Sequence, residues 1–352
     1  MRFRLGEFSA GHPMVNSPQP LRTRLTDLLG CDYPIIQAGM GGPGRSELCA
    51  AVTAAGAFGC IGMVKERPEL IQREVAAVRD RTNRSFGVNL VPSVTDPVLL
   101  DEELEACSAA KIEVMVFFWD VRADIVDRAH KAGCKVLYQV GSLADAIAAS
   151  RAGADAIICQ GFEAGGHVHG KVTAMVLLPQ VAAAVSIPVI GAGGFGSGAS
   201  LVAALALGAE GIHCGTAFLA TKESYAHDYY KQRVIDATSS DTVYSDVFAI
   251  GWPPQSPVRT IENSITKLYA DNLLGHGPDD FPRDVIAQYE DDLVCRLSTW
   301  SPLRGMTGDM EALALYAGQV CGQVKRVQPA ADVVHQMMEE AHSALTRLGS
   351  LK

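Results

Sequence analysis

The stretch PVIGAGGFGSGASLVAALALGAEGIHCGT, residues 188–216, decides between the two folds that the rest of the chain allows. It contains an apolar run, a glycine-rich turn, an Ala- and Leu-rich segment that ends at Gly208, and a second apolar run. This order predicts a strand, a helix and a second, parallel strand. The turn GAGGFG (191–196) also fits the G-x-G-x-x-G pattern of dinucleotide-binding open sheets, although that pattern alone is weak evidence.

Apolar runs of the same kind recur along the chain, and their number favours a closed barrel over an open sheet. They are continuous and not alternating, as expected of parallel strands that are buried on both faces. The turn GAGGFG follows the seventh run, whereas a dinucleotide fingerprint follows the first strand of its domain. No acidic residue ends the eighth run, where a ribose would need one. The sequence therefore predicts an α/β fold, a (β/α)8 TIM barrel, with strands in residues 33–40, 58–63, 86–91, 114–119, 135–140, 156–161, 188–193 and 211–216.

Three parts of the chain lie outside this predicted barrel of residues 21–221. Residues 1–20 lack the apolar core of a signal peptide and are expected to form a disordered leader. Residues 222–325 are expected to form a mostly helical domain that covers the substrate. The last segment, residues 326–352, is expected to pack back on the barrel.

Within these parts, periodic apolar positions predict particular helices. Two helices are predicted in the covering domain, over residues 256–275 and 281–297, next to the turn-rich stretch AIGWPPQSP (249–257). The amphipathic segment 329–348 predicts one more helix, whose apolar face would return to the barrel wall.

Composition excludes several classes of function. The chain has 352 residues, of which 48% are hydrophobic and 20% charged, which is typical of a folded globular protein. A net charge of −9 without Lys/Arg clusters argues against nucleic acid as a partner. No apolar run reaches the roughly 18 residues that span a bilayer, so no membrane association is expected. Nine scattered cysteines without a C-x-x-C pair predict a reducing, cytoplasmic compartment, and a homodimer is compatible with the sequence.

In a TIM barrel the active site lies at the C-terminal ends of the strands, and this rule selects the candidate residues. Glycine turns after the last two predicted strands favour a phosphate site, the alternative being that they only form tight barrel turns. Amide side chains without a carboxylate pair, a lysine or a metal-ligand cluster favour a flat heterocycle, so flavin mononucleotide (FMN) fits better than a sugar phosphate or a metal-bound substrate. The selected residues are Ala38, Gly39, Met40, Asn89, Gln139, Gln160, Ala192, Gly193, Gly194, Gly215 and Thr216.

The loop QGFEAGGHVHG (160–170), after the sixth predicted strand, carries the strongest titratable candidate. His167 is able to act as an acid, a base or a hydrogen-bond donor near neutral pH, and Gly165 and Gly166 let the backbone approach a bound ring. A metal site made of Glu163, His167 and His169 would require the loop to fold back on itself, so no metal is predicted. A purely structural role for His167 stays open, and His169 is interpreted as a solvated neighbour.

The motifs PIIQAGM (34–40), FGVNL (86–90), QGFEAGGHVHG, PVIGAGGFGSG and LALGAEGIHCGTAFLATKES (205–224) resemble, in order, those of the nitronate monooxygenases, formerly called 2-nitropropane dioxygenases. The resemblance runs from about residue 21 to about residue 330. The same superfamily includes FMN-dependent enoyl-acyl-carrier-protein reductases and NAD(P)H:quinone reductases. The E-A-G-G-H element is specific to this superfamily and much less specific to one activity within it.

The resemblance implies an FMN-binding barrel with the flavin over the strand ends and His167 as the catalytic histidine. It implies that the isoalloxazine ring lies beside Gly39, Met40, Asn89 and Gln139. It implies that the ribityl phosphate lies beside Gly166, Gly193, Gly194, Gly215 and Thr216. Glu163, Gly165 and Gln160 complete the cofactor-binding set.

The chain departs from the family pattern in three places. Ser197 stands where an aspartate is usual, Ala217 stands where an arginine is common, and the end of the fourth strand (VMVFFWDV, 114–121) is bulkier and more aromatic. These departures affect the substrate more than the cofactor. The first hypothesis is therefore oxidation of alkyl nitronates with O2. The second is an NAD(P)H-dependent reductase of an enone, quinone or enoyl thioester, and the third is a flavin-binding barrel without turnover.

Overall fold

The computed structural model describes residues 17–351, and its centre is a parallel β-barrel. All eight predicted strand regions contain a barrel strand. A further two-residue strand, β7, lies outside the barrel sheet. In chain order the strands are β1 (Ile35–Gln37), β2 (Cys60–Gly62), β3 (Gly87–Leu90), β4 (Val114–Phe118), β5 (Lys135–Val140), β6 (Ala156–Gln160), β7 (Gly166–His167), β8 (Val189–Ala192) and β9 (Gly211–Cys214).

The two ends of the barrel sheet, β1 and β2, meet and close it. The other barrel strands pair in parallel with their neighbours, and β9 pairs with β1. Between β1 and β2, the N–H of Gln37 donates to the carbonyl of Phe58 at 2.9 Å, and the N–H of Phe58 donates to the carbonyl of Ile35 at 2.9 Å. Since the sheet has no open edge here, the doubly wound alternative is excluded and the predicted TIM barrel is confirmed.

Helices surround the barrel and begin at recognisable caps. The side chain of Asp96 accepts hydrogen bonds from the first-turn N–H groups of one helix, and Ser142 does the same for another. The helices of the barrel region are α1 (Arg24–Leu29), α2 (Ser46–Ala54), α3 (Pro68–Arg79), α4 (Pro97–Ala109), α5 (Ala123–Lys131), α6 (Leu143–Arg151), α7 (Ala174–Ala184), α8 (Gly198–Ala206) and α9 (Thr216–Leu219).

The apolar core has two layers, which explains why the strands are apolar along their whole length. Ile36, Val116, Leu137 and Ile158 belong to a cluster inside the barrel, while the alternate strand residues pack outward against the helices. The barrel interior is thus a packed core, and only the ends of its strands are available for ligands.

Residues 222–325 differ from the expected mostly helical structure. The helices there are short: α10 (Asp228–Asp236), α11 (Ser264–Leu268) and the 3-10 helices Ser239–Asp241, Met310–Ala312 and Gln319–Gln323. Five further strands are β10 (Thr242–Ser245), β11 (Val258–Ile261), β12 (Val285–Tyr289), β13 (Asp292–Cys295) and β14 (Thr307–Gly308). Together with β7 they form two antiparallel three-stranded sheets with the orders β10-β11-β7 and β13-β12-β14.

Both segments that were expected to be helices contain strands. In 281–297, β12 and β13 form a hairpin whose turn holds Glu290 in the left-handed region, at φ +50°. Acidic residues 290–292 separate two short apolar runs, with 290–291 in the turn, and such a pattern fits helical spacing and a hairpin equally well. In 256–275, β11 pairs with two other strands, which is a tertiary preference that local periodicity does not contain. The boundaries of the covering domain stay a prediction.

The last helix, α12 (Ala330–Gly349), packs on the outside of the barrel against α8. The N–H of Gly198, at the start of α8, donates to the Glu340 carboxylate at 2.9 Å. The predicted leader lies outside the described residues over 1–16. Its last residues contact the barrel, because the carbonyl of Pro18 accepts from the Tyr33 hydroxyl and that of Gln19 accepts from the imidazole of His342.

We predict that Gly198→Ala lowers the free energy of unfolding by about 1–3 kcal/mol, because the added Cβ would lie 2.0 Å from the carbonyl oxygen of Met337. Gly349→Ala is the matched control, since a Cβ there would meet no heavy atom within 4 Å among residues 17–351, apart from the adjacent residues and its own helix. Urea unfolding at equilibrium measures both variants. Equal stabilities for the two would contradict the close packing of α8 on α12.

Candidate functional site

A cleft of about 1240 Å³ opens at the C-terminal ends of the barrel strands. It is lined by every residue that the sequence selected for the site, with the exception of Glu163. The lining residues that were predicted are Ala38, Gly39, Met40, Asn89, Gln139, Gln160, Gly165, Gly166, His167, Ala192, Gly193, Gly194, Gly215 and Thr216.

The floor of the cleft carries amide side chains and one imidazole that the sequence analysis did not select. Asn89 is buried, and its Nδ2 donates to the carbonyl of Val116 at 2.9 Å. His213, on β9 opposite Ala192, is 7% exposed, and its Nε2 has no hydrogen-bond partner in residues 17–351. Burial lowers the pKa of His213 to about 4, so its ring is neutral at pH 7.

The signal that would have found His213 is strand periodicity. It stands two residues before Gly215, which places both residues on the same face of the strand. Gly215 was selected as a strand-end residue at the mouth of the barrel. The side chain of His213, two residues earlier on the same strand face, is therefore expected inside the barrel just below that mouth.

The conformation of the histidine loop depends on Gln160 and Glu163. Gln160 Nε2 donates to the carbonyl of His167 at 2.9 Å, and its Oε1 accepts from the N–H of His169 at 3.2 Å. The Glu163 carboxylate accepts from the N–H of Ala174 at 3.0 and 3.2 Å, at the start of α7. Gln160 therefore faces the cleft with its amide engaged by the loop, and Glu163 acts as a helix cap outside the cleft.

The loop is also part of a β-sheet, because β7 pairs with β11, which belongs to residues 222–325. Gly166 lies opposite Arg259, and His167 lies opposite Val258. Gly165 packs directly against the segment before the last 3-10 helix, where a Cβ on Gly165 would lie 2.2 Å from the amide nitrogen of Gly318. Two distant parts of the chain therefore fix the backbone of His167.

His167 lies in an aromatic environment. Its ring stacks on Trp252 with a centroid separation of 3.8 Å and an interplanar angle of 19°. The ring centroids of Trp119, which is edge-on, and of Tyr316, which is tilted, lie 5.9 and 6.0 Å away. Its Nε2 is buried and has no hydrogen-bond partner among the described residues. Burial, with a smaller contribution from the charge of Lys65, lowers the pKa of His167 to about 3. A neutral imidazole of this kind is able to accept a proton or to donate an N–H hydrogen bond.

Several residues around His167 were not selected from the sequence. Lys65 Nζ donates to the carbonyl of Gly251 at 2.7 Å and lies 4.9 Å from the centroid of the Trp252 ring. Trp119 has a φ of +82° and Lys65 one of +59°, and such strained backbone is concentrated at functional sites. The available signal for Trp252 was an indole between a glycine and two prolines in the stretch AIGWPPQSP.

The two glycine turns expose free backbone donors. Gly193 and Gly194 have φ values of +80° and +82°, and the N–H groups of Gly193, Gly194 and Gly215 make no hydrogen bond within residues 17–351. The neighbouring helix N-terminus is already capped, because Ser197 Oγ accepts from the N–H of Ser200 at 3.2 Å. The turns, and not the N-terminus of α8, are therefore available for an anion.

His169 lies beside the cleft and not in its lining. Its ring is 4.7 Å from that of Trp119, its Nδ1 is 3.6 Å from an Asp145 carboxylate oxygen, and its Nε2 is 3.9 Å from one of Asp120. Glu163 is engaged at α7, so the three residues of the metal alternative do not converge. Across residues 17–351, no group of three or more His, Cys, Asp or Glu side chains is placed to hold a metal ion.

A TIM barrel with an amide-lined mouth, free N–H groups on its last two turns and a neutral, half-buried histidine in the same cleft is typical of an enzyme that acts on a small molecule. The particular family follows from comparison. The family model described as nitronate monooxygenase matches residues 22–340, so the chain belongs to the nitronate monooxygenase family. It is an oxidoreductase of this FMN-dependent class.

Named relatives and solved structures agree with this assignment. A probable nitronate monooxygenase of Staphylococcus aureus (strain JH9) is 33% identical over 270 residues, covering 65% of this chain and 76% of the relative. FabK from Thermotoga maritima has a TM-score of 0.77 at 30% identity, covering 94% of this chain and 99% of FabK. The nitroalkane oxidase of Streptomyces ansochromogenes has a TM-score of 0.76 at 29% identity, covering 92% and 99%. None of the described helices is both long and apolar enough to cross a bilayer.

A buried carboxyl group supports the turn that carries Lys65. Glu103, on α4, is fully buried, and its Oε1 accepts from the N–H of Glu66 at 3.1 Å. Its Oε2 has no hydrogen-bond partner in the described part of the chain. Burial raises the pKa of Glu103 to about 8, so the protonated form predominates at pH 7.

We predict that this carboxyl group makes the protein less stable as the pH rises. The folded pKa of about 8 lies above the unfolded value of 4.5. The stability that protonation of Glu103 contributes is therefore fully present below the unfolded pKa and is lost as pH rises through the folded pKa. Relative to Glu103→Gln, the wild type should lose free energy of unfolding between about pH 5 and pH 8. Urea unfolding across this range measures the difference, with the exposed neighbour Glu102→Gln as the control. Parallel pH curves for wild type and Glu103→Gln would refute the prediction.

Proposed function

We propose that the protein binds FMN, with the flavin ring over the floor of the cleft and the phosphate at the glycine turns. Three observations support the fit. The floor offers amides and a neutral imidazole, the turns offer the unpaired N–H groups of Gly193, Gly194 and Gly215, and the cleft of about 1240 Å³ has room for a cofactor and a substrate together. Amides match the polar edge of a flat heterocycle, and backbone N–H groups match a phosphate.

We further propose that the reaction is the oxidation of alkyl nitronates with O2 to a carbonyl compound and nitrite. FMN, when bound, would accept electrons from the substrate and pass them to O2. The observation that carries the proposal is His167, a neutral imidazole held among aromatic rings in the lining of the same cleft. Its N–H is able to donate to the negative nitro oxygens of a nitronate in an environment of low polarity, where such a bond is stronger than in water.

The same histidine is unprotonated at neutral pH and is able to take the α-proton of a neutral nitroalkane, but its lowered pKa makes it a weaker base than an ordinary imidazole, which favours the donor role towards a nitronate. The positive charge of Lys65, close enough to act on His167, favours an anionic substrate over a neutral one. The aromatic rings of Phe118, Trp252 and Tyr316 in the lining match a short alkyl chain on that substrate.

A second candidate is an NAD(P)H-dependent reductase of an enone, quinone or enoyl thioester. The observation that favours it is the size of the cleft, since about 1240 Å³ exceeds the 300–1,000 Å³ usual for small-molecule sites. The cleft extends outward between the start of α3 and the β12–β13 hairpin, where Arg67, Arg73 and Tyr289 line it. In that reaction His167 would donate its N–H to the carbonyl of the substrate.

We predict that the purified protein shows a flavin absorption spectrum that anaerobic ethyl nitronate or propionate 3-nitronate bleaches faster than NADH or NADPH does. Stopped-flow absorbance measures both rates. Fast bleaching by a nicotinamide nucleotide and none by the nitronates would refute nitronate oxidation and favour the reductase. Protein without any flavin would refute both proposals.

We predict that His167→Asn slows nitronate-driven bleaching at least tenfold, a fall that corresponds to about 1.4 kcal/mol in the barrier, while FMN content stays the same. His169→Asn is the matched control, because His169 lies in the same loop and outside the lining of the cleft. If both variants bleach at the wild-type rate, His167 has no part in the chemical step.

A further inference from the structure

The stack of Trp252 on His167 stands out because hydrogen bonding does not explain it. The indole Nε1 of Trp252 is buried and has no partner within residues 17–351, and the same is true of His167 Nε2. A buried donor without a partner costs about 1–3 kcal/mol, so the arrangement needs another source of stability. The contacts that hold it are the stacked rings at 3.8 Å and the backbone of the Trp252 turn, where the N–H of Trp252 donates to the carbonyl of Ala249 at 3.0 Å.

Lys65 holds the indole from a different element. Its Nζ donates to the carbonyl of Gly251 and lies 4.9 Å from the centroid of the Trp252 ring, which is the geometry of a cation–π contact. Trp119, at the end of β4, meets both rings edge-on, at 6.2 Å from Trp252 and 5.9 Å from His167. Three separate parts of the chain thus restrain the imidazole: Trp252 by stacking, Trp119 by an edge-on contact, and Lys65 through its contacts with the Trp252 turn.

We propose that Trp252, held by Lys65, is a positioning residue that fixes the plane of the His167 imidazole and shields it from water. The proposal rests on the proposed role of His167 in the reaction. A stacked indole removes water from one face of the ring, and water is what would stabilise the charged imidazolium. The shielding therefore keeps the ring in the neutral form that a base or a neutral hydrogen-bond donor requires.

The titratable groups around His167 act in the same direction or carry no charge. Lys65, from the turn before α3, is the one whose charge acts on His167, and a neighbouring cation disfavours the imidazolium. Tyr316, from the segment before the last 3-10 helix, is neutral, since burial raises the pKa of its hydroxyl. On the β11 side, His167 lies opposite Val258, which is apolar. His169 lies beyond Trp119 and faces Asp120 and Asp145.

The test follows the protonation of His167 directly, in the protein as purified and without substrate. Protein labelled with ¹⁵N in its histidine rings gives a resonance for His167, which His167→Asn identifies. We predict that this resonance does not titrate in the wild type between pH 8 and about pH 5. In Trp252→Leu the midpoint should rise by at least about two pH units, from about 3 into that range, because water reaches the ring. Trp252→Phe keeps a stacked ring and removes the unpartnered N–H, so it should behave like the wild type.

Trp300→Leu is the control for the loss of an indole elsewhere in the cleft, since Trp300 contacts Tyr289 and not His167. It should leave the His167 titration unchanged. The proposal is overturned if Trp252→Leu titrates like the wild type, or if Trp300→Leu shifts the midpoint as much as Trp252→Leu does. A wild-type midpoint near the ordinary value of about 6.5 would overturn it as well.

A kinetic measurement connects this titration with the reaction. The rate of flavin bleaching by a neutral nitroalkane at pH 5.5, relative to that at pH 7.5, should fall at least threefold more in Trp252→Leu than in Trp252→Phe, because a protonated imidazole cannot take the α-proton. Because the resonance is observed without substrate, the titration still decides the role of Trp252 if nitronates fail to react. An unchanged titration together with fast nitronate bleaching would refute the positioning role alone.

Discussion

The pairing of β7 with β11 is the constraint on which the rest of the site depends. A loop that leaves a barrel strand is usually free to vary, but here Gly166 and His167 are joined by backbone pairing to Arg259 and Val258, about ninety residues later in the chain. The guanidinium of Arg259 also donates to the carbonyl of Phe162 at 3.0 Å, which ties the start of the same loop to β11. A small β-sheet therefore holds the backbone of His167, the catalytic candidate. Residues on strands are held in position more precisely than residues on loops.

This pairing also explains which parts of the molecule were predictable from the sequence. Strands such as β4 and β6 are buried on both faces, so their continuous apolar runs specify them without any knowledge of their neighbours. Nearly all of the residues that the strand-end rule and the histidine loop selected then proved to line the cleft, although they are only part of its lining. The short strands of residues 222–325 are specified by partners far away in sequence, as β11 is by β7, and no local pattern contains that information.

The residues that were missed share a similar reason. Trp252 belongs to a turn whose sequence gives no direction for its side chain, and its importance comes from the ring that lies 3.8 Å away. Glu163, in contrast, was selected because it lies in the most distinctive motif, yet its carboxylate accepts from the N–H of Ala174 at the start of α7, where a helix N-terminus favours a negative charge. His213 was hidden in an apolar strand, where its neutral ring is tolerated only because burial lowers its pKa.

The charge balance of the site follows from these placements and bears on the anions it receives. Both histidines of the cleft are neutral, and the floor carries amides, so the protein side of the cleft has little charge of its own near the strand ends. Where the family commonly has an arginine after the eighth barrel strand, this chain has the buried Ala217. A phosphate at the glycine turns would then be held by oriented N–H groups without a cation from that position, and selectivity would come from the geometry of the turns.

Lys65 supplies a positive charge at the other side of the site, next to Trp252 and His167, where a substrate anion would lie. Such a separation keeps the cofactor phosphate and the substrate charge at distinct positions, each matched by a different kind of donor.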